Sequence, residues 1–143
     1  MKKLGQVFIF RIALSVVLVI VLSLNLYPQN DTGTDESEFL ILVETTDDGI
    51  KLTSEEGCAW KNLSFTLKIN EKQFVDQYGM TSLNRDKPVE DNSLANFLFS
   101  VVRTEDGLSF EGKEGTTWKK LSFSCQGGKC HQYIDQNGMT KSE

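Results

Sequence analysis

The chain has 143 residues, 15 Lys and Arg, 20 Asp and Glu, a formal net charge of −5 and 39% hydrophobic residues. This length is that of one ordinary domain, which leaves little room for a large enzyme. The acidic balance disfavours electrostatic binding to nucleic acid or to an anionic membrane surface.

The N-terminal segment is basic and apolar. The first thirty residues hold two Lys, one Arg and no acidic residue, and residues 12–27 read IALSVVLVIVLSLNLY. Counted from Val7 to Tyr27, the apolar stretch is long enough to cross a bilayer as a single anchor. Counted as the run at 12–22, it suits a cleavable signal peptide. Both interpretations stay open, and both predict a hydrophobic helix in residues 1–28 with the rest of the chain outside the cytoplasm.

A short linker follows this segment. Residues 29–38 end in NDTGTDESE, which has no aliphatic or aromatic side chain and reads as a solvated acidic tether. Beyond residue 30 all 20 acidic residues remain but only 12 of the 15 basic ones, so this part carries a charge of −8.

The remainder is self-similar. A shift of 58 places residues 39–66 over residues 97–124 with 13 identities in 28 pairs, and a shift of 59 sets DQYGMT over DQNGMT with five in six. We interpret this as a tandem duplication. It predicts a first β-repeat at 39–82, a polar connector at 83–96 and a second β-repeat at 97–143.

Each copy alternates apolar and polar residues with a period of two. This pattern predicts four short strands per copy and an all-β fold, without helices after Tyr27. A meander of about 43 residues cannot cover its own apolar face. We therefore expect two four-stranded antiparallel meanders packed with pseudo-two-fold symmetry, as a small β-sandwich or an eight-stranded barrel.

The three cysteines leave three interpretations open. CQGGKC places Cys125 and Cys130 where a Gly-Gly hairpin could bring them together, which predicts a disulfide in an oxidising compartment. Unpaired, buried thiols are the plain alternative. A metal or redox site would use Cys125, Cys130 and the single histidine, His131, with Cys58 as a fourth ligand. The C-x4-C-H spacing does not match common zinc sites, so we predict no metal and no cofactor.

The DQxGMT segment is the polar sequence that the copies share best. As a site, it would offer four ligand or partner contacts: Asp76, Gln77, Asp135 and Gln136. As structure, it would end a strand, with its polar side chains bonded to backbone, its glycine at positive φ, and Met80 and Met139 in the core. We favour the structural interpretation.

One tryptophan precedes a strand in each copy. Trp60 and Trp118 are out of phase with the apolar residues that follow them. They could close the edge of the core or form an exposed binding platform, and packing at the edge is favoured.

No catalytic set is recognisable, because there is one His and no Gly-rich phosphate loop. We predict a non-enzymatic, exported or membrane-anchored binding module of the cell envelope, secreted, periplasmic or held by an uncleaved N-terminus. Its partner would be a protein or a small ligand. The alternatives are the Cys/His metal or redox protein and a structural accessory subunit of a membrane complex.

Overall fold

The computed structural model describes residues 38–125, 127 and 129–141, and in them ten β-strands form two five-stranded antiparallel sheets. The helix predicted for 1–28 and nearly all of the linker 29–38 lie outside the described residues. Among those that are described, no helix is long and apolar enough to cross a membrane. The strands are β1 (Leu40–Thr45), β2 (Gly49–Glu56), β3 (Asn62–Thr66), β4 (Lys72–Asp76), β5 (Gly79–Thr81), β6 (Leu98–Arg103), β7 (Gly107–Glu114), β8 (Lys120–Ser124), β9 (His131–Asp135) and β10 (Gly138–Thr140).

The two halves of the chain exchange strands. Sheet A has the order β10-β9-β1-β2-β3, and sheet B has the order β5-β4-β6-β7-β8. Each sheet therefore takes three consecutive strands from one half and a two-stranded hairpin from the other. The hairpin β4–β5 leaves the first half for sheet B, and β9–β10 leaves the second half for sheet A.

This arrangement confirms an all-β fold and corrects the predicted strand layout. The four-stranded meander is wrong because each half has five strands and its last two join the opposite sheet. The eight-stranded barrel is wrong because the described strands number ten, in two separate sheets. Alternation along a strand determines which face is buried, but it does not determine which strand supplies the backbone partners. The fifth strand was missed because GMT has only three residues.

The two sheets have the same internal register. Leu40 pairs with Glu56 in sheet A and Leu98 pairs with Glu114 in sheet B, and both pairings shift at the next residue. On the other side, Leu40 pairs with Asp135 and Leu98 pairs with Asp76. Positions related by the shifts of 58 and 59 in the sequence are therefore structurally equivalent.

The inward side chains of both sheets share one core. The rings of Phe39 in sheet A and Phe97 in sheet B have centroids 4.5 Å apart. The ring of Phe99 stacks on that of Phe97 and lies 6.2 Å from that of Trp118. The fully buried members of this core include Phe39, Ile41, Val43, Ile50, Leu52, Leu67, Val75, Phe97, Phe99, Val101, Leu108, Phe110 and Ile134.

Met80 and Met139, which were predicted to lie in the core, and the apolar Ile69 are about half exposed. Ile69 follows the end of β3 at Thr66 and is 52% exposed. Met80 and Met139 pair with buried residues of β4 and β9 and share their face, but they lie on the edge strands β5 and β10. Their exposures are 53% and 51%, because an edge strand extends beyond the cover of the opposite sheet.

Strand exchange can be tested by cross-linking. Leu42 pairs with Tyr133, so cysteines at these positions lie within the Cα separation that a disulfide requires. We expect the Leu42→Cys/Tyr133→Cys variant, made with Cys58→Ser, to form the new bond on mild oxidation, detected by peptide mapping. The matched control is Leu42→Cys/Phe74→Cys, since Phe74 is equivalent to Tyr133 but pairs with Ser100 in sheet B. A bond in the control and none in the first pair would contradict the exchange.

Candidate functional site

The aspartates of the two DQxGMT segments hold hairpin turns. Oδ1 of Asp76 accepts hydrogen bonds from the backbone N–H groups of Tyr78 (2.8 Å) and Gly79 (3.1 Å). Oδ1 of Asp135 accepts the equivalent bonds at 2.7 and 2.9 Å. The glycines have φ of 128° and 137°, as the structural interpretation required, because such a backbone conformation disfavours a Cβ.

The tryptophans tie each exchanged hairpin to the sheet of its own half. Nε1 of Trp60, in the loop between β2 and β3, donates to the carbonyl of Asp76 at 3.1 Å. Nε1 of Trp118 donates to the carbonyl of Asp135 at 2.9 Å. Both rings pack against the core, and Trp118 is 7% exposed. These contacts place the tryptophans at the edge of the core, with their polar atoms engaged within the chain.

The glutamines have different surroundings in the two hairpins. The backbone carbonyls of Gln77 and Gln136 accept hydrogen bonds from the N–H groups of Ala59 and Thr117, each at 2.8 Å. Ala59 and Thr117 lie in the loops that carry Trp60 and Trp118, which we call the tryptophan loops. Oε1 of Gln136 also accepts the N–H of Phe39 at 3.3 Å. Gln77 is 5% exposed, and its Oε1 has no hydrogen-bond partner among the described residues. Gln77 is thus less accessible to a ligand than the sequence predicted.

Arg85 of the connector joins two carboxylates of sheet B. Its Nη1 lies 3.2 Å from Oδ2 of Asp76, an ion pair without linear hydrogen-bond geometry, and its Nη2 lies 3.3 Å from Oε2 of Glu114. The side chains of Arg85 and Asp76 are 9% and 7% exposed. The sequence could not single out this arginine, because the connector has no periodic pattern and no counterpart in the other copy.

The outer face of sheet A carries an open cleft at the equivalent place. The cleft has a volume of about 700 Å³, and its lining includes Leu40, Tyr133, Glu56, Asp135 and Lys141. Leu40 and Tyr133 are half-buried residues on the side of the sheet away from the core. The cleft therefore has an apolar floor and an acidic rim, a combination suited to a polypeptide segment that carries positive charge.

The predicted disulfide is present. Cys125 and Cys130 are bonded to each other, with Cα atoms 4.6 Å apart. The N–H of Cys125 donates to the carbonyl of Asp106 in the turn before β7, and the N–H of Cys130 donates to Oγ1 of Thr45 at the end of β1. The bond thus closes the crossover from sheet B to sheet A.

The four ligands of the metal alternative are not brought together. Cys58 follows the C-terminal end of β2. Cys130 lies beside Thr45, which pairs with Ile50 near the start of β2. Roughly 20 Å of strand therefore separates Cys58 from Cys130. The side chain of His131 is 66% exposed, and its Nδ1 lies 3.5 Å from Glu44. Among the described residues, no group of three or more His, Cys, Asp or Glu is placed to hold a metal ion.

The lone thiol is poorly activated. Burial raises the pKa of Cys58 from its ordinary value of 9.0 to about 11, against a hydrogen bond with Ser54 that lowers it. Only the thiolate is nucleophilic, so a raised pKa means slow reaction at neutral pH. The pKa of Glu44, beside His131, is lowered from its ordinary value, first by its hydrogen bond with Lys51.

Comparison with known proteins supplies no function. No protein-family model, curated protein or solved structure matches the chain.

The two aspartates should differ in their effect on stability. Asp76→Ala removes two turn hydrogen bonds and leaves the buried Arg85 without its nearest partner, so we expect a loss of about 3 kcal/mol in the free energy of unfolding. Asp135→Ala removes only the two turn hydrogen bonds, for a loss of about 1 kcal/mol. Urea unfolding measures both, and Asp76→Ala/Arg85→Met should recover part of the first loss. Equal losses for the two single variants would show that Arg85 contributes nothing through Asp76.

The cysteines should react in a defined order. Under native conditions at pH 8 we expect no alkylation of Cys125 or Cys130 before reduction. We expect Cys58 to react about 100-fold more slowly than in urea, because a thiol pKa raised by two units leaves about a hundredth of the thiolate. Its rate should rise about tenfold per pH unit up to pH 11. Mass spectrometry of iodoacetamide-treated protein measures these rates, and fast native labelling of Cys58 would contradict its burial.

Proposed function

We propose that this chain is a non-catalytic binding module of the cell envelope, exposed on the extracytoplasmic side, whose binding surface is the outer face of sheet A. The observation that carries the proposal is the difference between the two sheets. On the equivalent face of sheet B, Arg85 of the connector pairs with Asp76 and Glu114, and Leu98 between them is 2% exposed. Leu40, its counterpart in sheet A, is only half-buried and lines the open cleft.

The extracytoplasmic location has two supports. Residues 1–28 combine basic residues with a long apolar run and no acidic residue, which suits a signal peptide or a membrane anchor. The bond between Cys125 and Cys130 is of a kind that persists in oxidising compartments.

A tandem duplication is part of the same proposal. It is supported by the 13 identities in 28 pairs and by the equal registers of β1 with β2 and of β6 with β7.

The proposal that the module is non-catalytic draws support from the surroundings of the only histidine. Nδ1 of His131 faces Glu44, which also bonds Lys51 at 3.0 Å, and the His131 ring lies edge-on to Tyr133 at 6.2 Å. A general base needs a nucleophile or a substrate proton within hydrogen-bond reach. These neighbours supply a carboxylate and an aromatic ring instead.

Site-specific photo-cross-linking in intact cells of the source organism tests the binding surface. A photoreactive residue at Lys141, which is exposed at the rim of the cleft, should capture one discrete partner, to be identified by mass spectrometry. The same residue at the exposed Ser82, the equivalent position in sheet B, is the matched control and should capture none. Equal capture at both positions, or none at either, would refute the proposed surface.

A further inference from the structure

An acidic residue, a leucine and a second acidic residue stand in register across three strands of each sheet. In sheet B this row is Asp76, Leu98 and Glu114. In sheet A it is Asp135, Leu40 and Glu56. Neighbouring strands lie about 4.8 Å apart, so the backbones that carry the two acidic residues are about 10 Å apart. A group that contacts both carboxylates must therefore span the leucine between them.

In sheet B an arginine fills this position. The guanidinium of Arg85 reaches Asp76 with one terminal nitrogen and Glu114 with the other, at 3.2 and 3.3 Å. On the same outer face, Leu98 between the two carboxylates is 2% exposed, and Ser100, which pairs with Phe74, is 0% exposed. The row of sheet B is thus a complete recognition site whose occupant is a segment of the chain itself.

In sheet A the same row is open among the described residues. Leu40 and Leu42, equivalent to Leu98 and Ser100, are only half-buried. Glu38 and Glu55 also line the cleft, where sheet B has Asn96 and Lys113, and Glu55 is paired with Lys61 at 3.1 Å. The sheet A row therefore offers the same two carboxylates as the occupied row, with Glu38 as a further carboxylate beside them.

Among the residues that the structure describes, no Lys or Arg forms an ion pair with Asp135 or Glu56. The sequence between Arg11 and Lys51, which includes the segment before β1, has no Lys or Arg. Lys141 lies at the rim of the cleft but forms no ion pair with the described carboxylates. An ammonium is a point charge, whereas a guanidinium presents donors along two edges and can bridge separated carboxylates.

We infer that the outer face of sheet A binds an arginine-bearing segment of a partner protein, with the guanidinium between Asp135 and Glu56 and the backbone of the segment over Leu40 and Leu42. This inference rests on the proposed function, because it names the chemistry of the partner that the same face would bind. The occupied row of sheet B is its template.

A peptide with the sequence of residues 82–96, SLNRDKPVEDNSLAN, is the direct probe because it already fits the equivalent face. Fluorescence anisotropy of the labelled peptide, titrated with the full-length protein in detergent, should show saturable binding. The peptide with Arg85→Gln should bind at least about tenfold more weakly, since a hydrogen-bonded charge pair is lost. This arm leaves the protein unchanged, so it does not depend on the folding of a variant.

Protein variants locate the site. Glu56→Gln should weaken binding of the arginine peptide by about tenfold, whereas Glu105→Gln should leave it unchanged. Glu105 is an exposed carboxylate in the turn between β6 and β7, at the far end of the other sheet. Amide chemical shifts should move at Leu40, Leu42 and Asp135 on binding.

Three results would overturn the inference: equal affinity of the Arg and Gln peptides, equal affinity of Glu56→Gln and wild-type protein, or shifts confined to sheet B. The proposed function and the arginine chemistry are tested by different results. If the probe at position 141 captures a partner and the Glu56→Gln variant captures it equally well, the binding surface stands and the arginine chemistry falls. If the probe at position 141 captures nothing, the proposed function itself falls.

Discussion

The exchange of hairpins between the two halves is the constraint on which the rest of the fold depends. β1 and β6 are inner strands, and each has one neighbour from its own half and one from the other. Removing either hairpin would leave a row of backbone N–H and C=O groups without partners along an otherwise apolar strand. Neither half can therefore complete its sheet alone, and the whole described domain is the unit that folds.

The tryptophan loops hold each exchanged hairpin to the half of the chain from which it comes. Each exchanged hairpin pairs along its length with the sheet of the other half, and its turn is bonded to a loop of its own half, through Trp60 in one case and Trp118 in the other. The sheets are thus joined by backbone hydrogen bonds at the hairpin turns as well as by the aromatic core. The polar DQxGMT segment thus has the same role in both halves: its aspartate forms the turn, and its backbone carbonyls accept hydrogen bonds from the tryptophan loop.

The functional interest of the molecule lies where the equivalence of the two sheets breaks down. The same row of carboxylate, leucine and carboxylate is covered by Arg85 on one sheet and open on the other. The guanidinium of Arg85 lies between the two carboxylates, with a hydrogen bond to Glu114 and an ion pair to Asp76, so the occupied row shows one chemistry that this geometry accepts. The open row has the half-buried Leu40 at its centre, and Lys141 lies at the rim of its cleft, an apolar floor with a charged rim that suits the binding face proposed above.

Several features were predictable because they follow from local chemistry. The alternation at Phe39, Ile41 and Val43 indicated a strand with one buried face, and all three are in the core. The spacing of Cys125 and Cys130 indicated the disulfide. Local patterns failed where exposure depends on distant elements. Met139 lies on the core face of its strand, yet it is half exposed because β10 is the edge of its sheet.

The sequence by itself determined the strand class, the buried faces and the polar turns, because these depend on side chains a few residues apart along one backbone. Only the tertiary structure decided which strands pair, that the connector covers sheet B through Arg85, and that the equivalent face of sheet A is open. Strand partners and surface cover depend on contacts between segments far apart in the chain. The periodicity of any one segment carries no record of such contacts.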